Sequence, residues 1–182
     1  MKLYTMAALA AATLPLAACL GSGDNELPDN YEEVISLYEA VENEELEEAS
    51  EEMMSGTATL SGAIAISDLG EDEDLEAIGE LTLTANFTTD EVTGTADNFA
   101  LYDEDTSDLE ASLTGSLDIE GDITGTSMGA GLEGTLSDDE DHEVSLSMYG
   151  TFYDSDGALA VVGEVDGLID GEYVEGGFAA IE

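Results

Sequence analysis

From Thr57 to the end of the chain, apolar and polar residues alternate with a period of two. Leu60, Gly62, Ile64 and Ile66 form one such series, and Leu81, Leu83, Ala85 and Phe87 another. The series continues through Leu109–Ile119 and Val144–Phe152, with Thr, Ser, Glu and Asp supplying most of the positions between. This is the pattern of a strand with one face in a core and the other in water. Less regular alternation predicts further strands at 91–102, 122–137, 158–167 and 172–181, which makes about eight. A slip of phase between Ala96 and Phe99 predicts a bulge, and glycines at 125, 129, 131 and 134 predict bends in the long strand at 122–137. The joints are short and acidic: Asp68–Glu76, Thr89-Asp90, Asp103–Asp108, Glu120-Gly121, Asp138–His142, Asp154–Gly157 and Asp170-Gly171. Short joints connect antiparallel neighbours, and closing a meander of eight twisted strands removes its open edges. The predicted fold class is all-β: a single small closed antiparallel up-and-down barrel at 57–182, its interior packed by side chains or holding one small ligand.

Upstream the period lengthens. Tyr31, Val34, Ile35, Tyr38 and Val41 lie at helical spacing, and Leu46, Ala49 and Met53 continue the stripe after a shift of phase at Asn43. With Asp29 and Glu32 as a capping box after Pro28, this predicts one acidic amphipathic helix at 29–54. It is expected to pack on the domain or to cap one barrel end, with a spacer or partner helix as the alternative.

Residues 1–18 have the form of a signal peptide: Lys2, an apolar run from Leu3 to Leu14, and Pro15 before the expected cleavage point. That run is too short to span a bilayer, which takes about 20 residues. Leu16-Ala17-Ala18-Cys19 resembles the lipobox of bacterial lipoproteins, in which the precursor is cut before the Cys and the new N-terminus is acylated. Cys19 is also the only cysteine, so it has no internal disulfide partner. Leu20 stands where an Asp would retain many such lipoproteins at the inner membrane. The resemblance therefore implies a lipid-anchored outer-membrane protein facing the periplasm or the cell exterior. Residues 19–28, with the stretch GSGDNELP, read as a flexible tether.

Cleavage would leave 164 residues carrying 45 acids and no Lys or Arg. Nucleic acid is excluded as a partner, because phosphate binding rests on basic side chains. The surface expected for a chain of this size gives about one carboxylate per 170 Å². Such repulsion opposes folding and is only partly screened at a Debye length of about 8 Å, which points to a saline, halophilic setting. A membrane-spanning barrel would show aromatic girdles; with four Phe and no Trp they are missing.

Three stretches resemble transferrin-binding-protein-B-like lipoproteins. Phe87-Thr88-Thr89-Asp90-Glu91-Val92-Thr93-Gly94-Thr95 is similar to that family's hairpin, Gly150-Thr151-Phe152-Tyr153 to its Gly-x-Phe-Tyr-Gly strand, and Glu175-Gly176-Gly177-Phe178 to its closing strand. The resemblance covers residues 57–182 and implies an eight-stranded barrel on a surface lipoprotein that binds a host protein or another ligand for nutrient uptake. Asp154 departs from the pattern, replacing the second Gly, and there is no handle domain.

No catalytic set is expected, since one His and one acylated Cys supply no nucleophile with a base and an orienting group. His142, between Asp141 and Glu143, reads as a solvated turn residue. No cofactor is expected beyond loosely bound Ca2+, for which Asp154 and Asp156, and Asp103, Asp105 and Asp108, supply clustered oxygens. Neither group has the bidentate Glu of the twelve-residue calcium loop. Tyr149 and Tyr153, on one face of one strand, are the candidate binding residues for an unidentified protein, or else cover the wall beneath the helix. The expected function is a membrane-anchored binding module; the alternatives are an anionic envelope coat without a ligand, and a carrier with a small molecule inside the barrel.

Overall fold

The computed structural model describes Leu27 and residues 31–69, 75–103 and 108–182. The expected leader at 1–18 and Cys19 lie outside the described residues, as does the expected tether apart from Leu27. One helix, α1 (Tyr31–Glu42), precedes ten strands: β1 (Glu47–Glu48), β2 (Thr57–Leu69), β3 (Leu75–Asn86), β4 (Glu91–Asp103), β5 (Leu109–Ser112), β6 (Thr114–Thr124), β7 (Ser127–Ser137), β8 (Asp141–Ser155), β9 (Ala158–Ile169) and β10 (Glu172–Ile181). Eight of them, β2, β3, β4, β6, β7, β8, β9 and β10, pair antiparallel in that order, and β10 closes back on β2. The expected closed eight-stranded barrel with one N-terminal helix is the fold. The short β1 pairs with the end of β8 that outruns β7, and β5 pairs with β4.

The barrel interior is apolar and its outer wall largely acidic and hydroxylated, the reverse of a membrane-spanning barrel. Its middle is filled by fitting rings against glycines. Along one circumferential row, Gly150 lies opposite Gly163, Gly163 opposite Phe178, Phe178 opposite Ile64, and Ile64 opposite Gly79. A Cβ on Gly150 or Gly163 would come within 2.7 or 2.6 Å of the Phe178 ring, and one on Gly79 within 2.6 Å of Phe99. The bulge stands where the phase slipped: Ile78 pairs with Ala100 but Glu80 with Asp97. Asn98 there has a left-handed φ of 52° and bonds Glu80 at 2.9 Å.

Two expected boundaries change. The Glu120-Gly121 joint lies inside β6, because Leu117, Ile119, Gly121 and Ile123 hold one phase across it and Gly121 only makes room for Ala130 on β7. The strand expected at 122–137 is therefore two, joined at Gly125-Thr126. The helix expected at 29–54 is the shorter Tyr31–Glu42, and Asp29 lies outside the described residues. Asn43 turns its amide back onto the Glu39 carbonyl, and Glu44 takes a left-handed φ of 56°, ending the helix at the phase shift.

The shortened helix packs on the wall and leaves both barrel ends uncapped by it. Tyr31, Val34 and Leu37 bury Ala63 and Ala65 of β2, Ala160 and Val162 of β9, and Ala179 of β10. Tyr38 reaches the wall where Gly177 has no side chain, and its hydroxyl donates to the Gly163 carbonyl. Burial, with Glu164 nearby, pushes that phenol up to about 12.

Candidate functional site

The two barrel ends differ. At the end holding the β3–β4, β6–β7 and β8–β9 turns, the segment after β1 folds inward. Ala49, Met53 and Met54 pack there with Phe87, whose ring meets Phe152 edge-on at 5.3 Å. That end is plugged. At the opposite end, where β2, β4, β7 and β9 finish, the interior opens into a cavity of about 290 Å³. Leu69, Leu75, Ala77, Leu101, Leu113, Leu136, Val144, Ile169 and Val174 form its apolar lining, and Asp138, His142, Asp170 and Glu172 its rim.

Local sequence places each rim residue. Asp170-Gly171 is a two-residue hairpin with both φ angles positive, 54° and 87°, as the tight turn between β9 and β10 requires. That turn holds Asp170 beside the first residues of β8. One of its oxygens accepts the Glu143 N–H at 2.8 Å and the other lies 2.7 Å from Nδ1 of His142. The second ring nitrogen, Nε2, is 3.4 Å from Asp138, which also accepts the Glu140 N–H at 2.9 Å. His142 therefore belongs to a strand and lines the cavity, where a solvated turn residue was expected. Its side chain is only 32% exposed. The missed signal is its spacing: Val144 and Leu146 point inward, so His142 two residues earlier shares their side of β8 at the rim.

Electrostatics follow from that bracket. The hydrogen bond to Asp170, helped by Asp138, raises the His142 pKa above its ordinary 6.5. Asp170 is lowered chiefly by His142, and Asp138 chiefly by the Glu140 N–H. Stability from the charged His is fully present below 6.5 and fades as pH rises through the higher folded value. The contribution of the two aspartates is present above their ordinary 3.8 and is lost as pH falls through their lowered values. Hence the melting-temperature gap between the wild type and His142→Gln should be widest between the ordinary aspartate and His values, 3.8 and 6.5, and should shrink as pH rises past 6.5. A gap that widens with pH would reject the charged bracket. Both ring nitrogens face carboxylates, so His142 is placed to carry charge, and no hydroxyl or thiol bonds it among the described residues.

The other sequence candidates sit apart from this mouth or at its margin. Tyr149 is 59% exposed on the outer wall, its ring over Gly129, whereas Tyr153 is half-buried in the cluster under α1, so the two present no joint patch. Asp154 accepts the Gly157 N–H at 2.7 Å in the plugged-end turn and Asp156 is the left-handed residue of that turn. Asp103 donates its N–H to the Asp108 carbonyl, and Asp105 lies outside the described residues. Among the described residues no three acidic or His side chains converge as a metal site would require. No protein family matches the chain, and no curated protein is detectably similar to it in sequence.

Proposed function

We propose that this chain is an exported lipoprotein that binds a small apolar ligand in the open mouth of its barrel. The cavity carries this reading. At about 290 Å³ it sits at the lower edge of the range for small-molecule sites, about 300–1,000 Å³. Its apolar lining with a few convergent polar groups is the usual make-up of such a site. An envelope coat would have no use for an apolar hole maintained at one end of an otherwise filled barrel.

The tether adds a point of attachment. Tyr31 begins α1 beside Glu76 and Tyr102, which pair with each other next to the mouth residues Leu75 and Leu101. Tyr31 lies twelve positions after Cys19, a reach of at most about 40 Å. An acyl anchor on Cys19 would thus join the domain at its mouth end. The likeness to transferrin-binding-protein-B-like lipoproteins fits this role as an exported binding barrel, with the ligand left to this chain's own cavity.

An uncharged fluorescent probe such as N-phenyl-1-naphthylamine tests the site. Fluorescence should rise saturably with protein, and Leu113→Trp, which fills the mouth from a half-buried position, should abolish the rise without lowering the melting temperature. Unchanged binding in the folded variant would move the ligand site elsewhere. A second reading, protein capture at the outer wall, draws on Tyr149 and on Tyr173, which is 62% exposed.

A further inference from the structure

We propose that the ligand is an amphiphile with a protonated amine head, its apolar tail in the cavity and its head on the Asp138, Asp170 and Glu172 carboxylates. This rests on the cavity being the ligand site. The tail is set by the lining, where Leu, Ile, Val and Ala offer no hydrogen bond to a polar body. The head is set by charge. Two carboxylates, Asp138 and Asp170, bracket the one cavity-lining group that could be cationic, His142, a third, Glu172, stands on the same rim, and beyond the expected leader the chain has no Lys or Arg to receive an anion. A fatty acid or phosphate ester would place its charge among like charges, whereas an ammonium would gain charge-assisted bonds of the kind His142 already makes with Asp170.

The oxygens for a second cation are present. Each aspartate spends lone pairs on one backbone N–H and on His142, although a carboxylate offers about four acceptor sites. The Glu172 side chain makes no hydrogen bond among the described residues, and the residue follows directly from the Asp170-Gly171 turn. An acidic wall alone would gather cations over the whole surface. The mouth is distinguished because there an acidic rim borders an apolar hole, so one molecule can satisfy both.

The test displaces the uncharged probe from residues 20–182, which contain every contact described above, using octylamine, octanol and octanoate, three heads on one tail. Octylamine should displace at about tenfold lower concentration than octanol, with octanoate weakest. Asp138→Asn/Asp170→Asn and, separately, Glu172→Gln should shrink the amine's advantage while octanol is unaffected. Asp118→Asn/Glu133→Gln on the outer wall removes as much charge as the double rim variant and should leave the advantage in place. Equal potency of amine and alcohol, or equal loss in the rim and wall variants, would overturn the amine head while leaving an apolar site standing. Failure of the probe and of all three octyl compounds to bind would instead overturn the cavity reading beneath it.

Discussion

Replacing Cys19 with Ala is expected to end acyl labelling and to move the protein from the membrane fraction to the soluble one. The effect should be large, because none of the described elements is suited to hold a membrane. No described helix is long and apolar enough to cross one, the barrel's outer wall is polar, and its charge is of the sign that anionic lipid repels. Anchoring then rests on acyl chains at about 0.8 kcal/mol per buried CH₂, where one chain is marginal and several hold stably. Fractionation of cells expressing the two forms reads the result. A variant that stays in the membrane fraction at the wild-type level would remove the lipobox reading and, with it, the attachment at the mouth end.

Raising NaCl from millimolar to molar should raise the melting temperature of the barrel by about 2–16 °C. The structure gives this estimate its footing, because the register sets acids directly opposite acids on the outer wall. Glu80 faces Asp97, Glu91 faces Asp122, Asp118 faces Glu133, and Asp166 faces Glu175. Like charges across a ladder cost about 0.2–1 kcal/mol each, so four pairs reach about 4 kcal/mol, and each kcal/mol moves a domain of this size by about 2–4 °C. Salt screens them because six of these eight acids are exposed and the other two, Asp97 and Asp166, only half-buried. Asp118→Lys should then raise the low-salt melting temperature and flatten part of the salt dependence. A melting temperature that is flat or falls with salt would reject repulsion as the main opposing term. If the acidic turns hold Ca2+ even loosely, calcium should act well below the ionic strength at which sodium does.

Both expectations show how much each level of description contributes. The acidity and the lipobox-like stretch are legible in single residues, whereas which acids oppose one another is a matter of register. The helix shows the same division. Its stripe at Tyr31, Val34, Ile35, Tyr38 and Val41 could be read from spacing, and so could the interruption at Asn43, whereas the buried Leu37 emerged only from the packing. The surface it covers is also written in the chain, though less plainly. Gly62–Ile66, Ala158–Val162 and Phe178–Ile181 are apolar at successive positions, as strands buried on both faces are. Only pairing makes those three stretches neighbours, on β2, β9 and β10.

The sequence by itself determined the number of long strands, the bulge near Asn98, the inward series and the near absence of basic side chains, because each follows from local periodicity or composition. The tertiary structure alone decided where the barrel is filled and where it is hollow. Filling depends on which glycine lies beside which ring, as Gly150 and Gly163 lie beside Phe178, and those residues come from three different strands. His142 shows the same limit. Its flanking acids suggested a solvated turn, yet the carboxylate that binds Nδ1 arrives from Asp170, 28 residues away. A contact of that range exists only once β8 and β9 have paired and the Asp170-Gly171 hairpin has turned the chain back across the mouth.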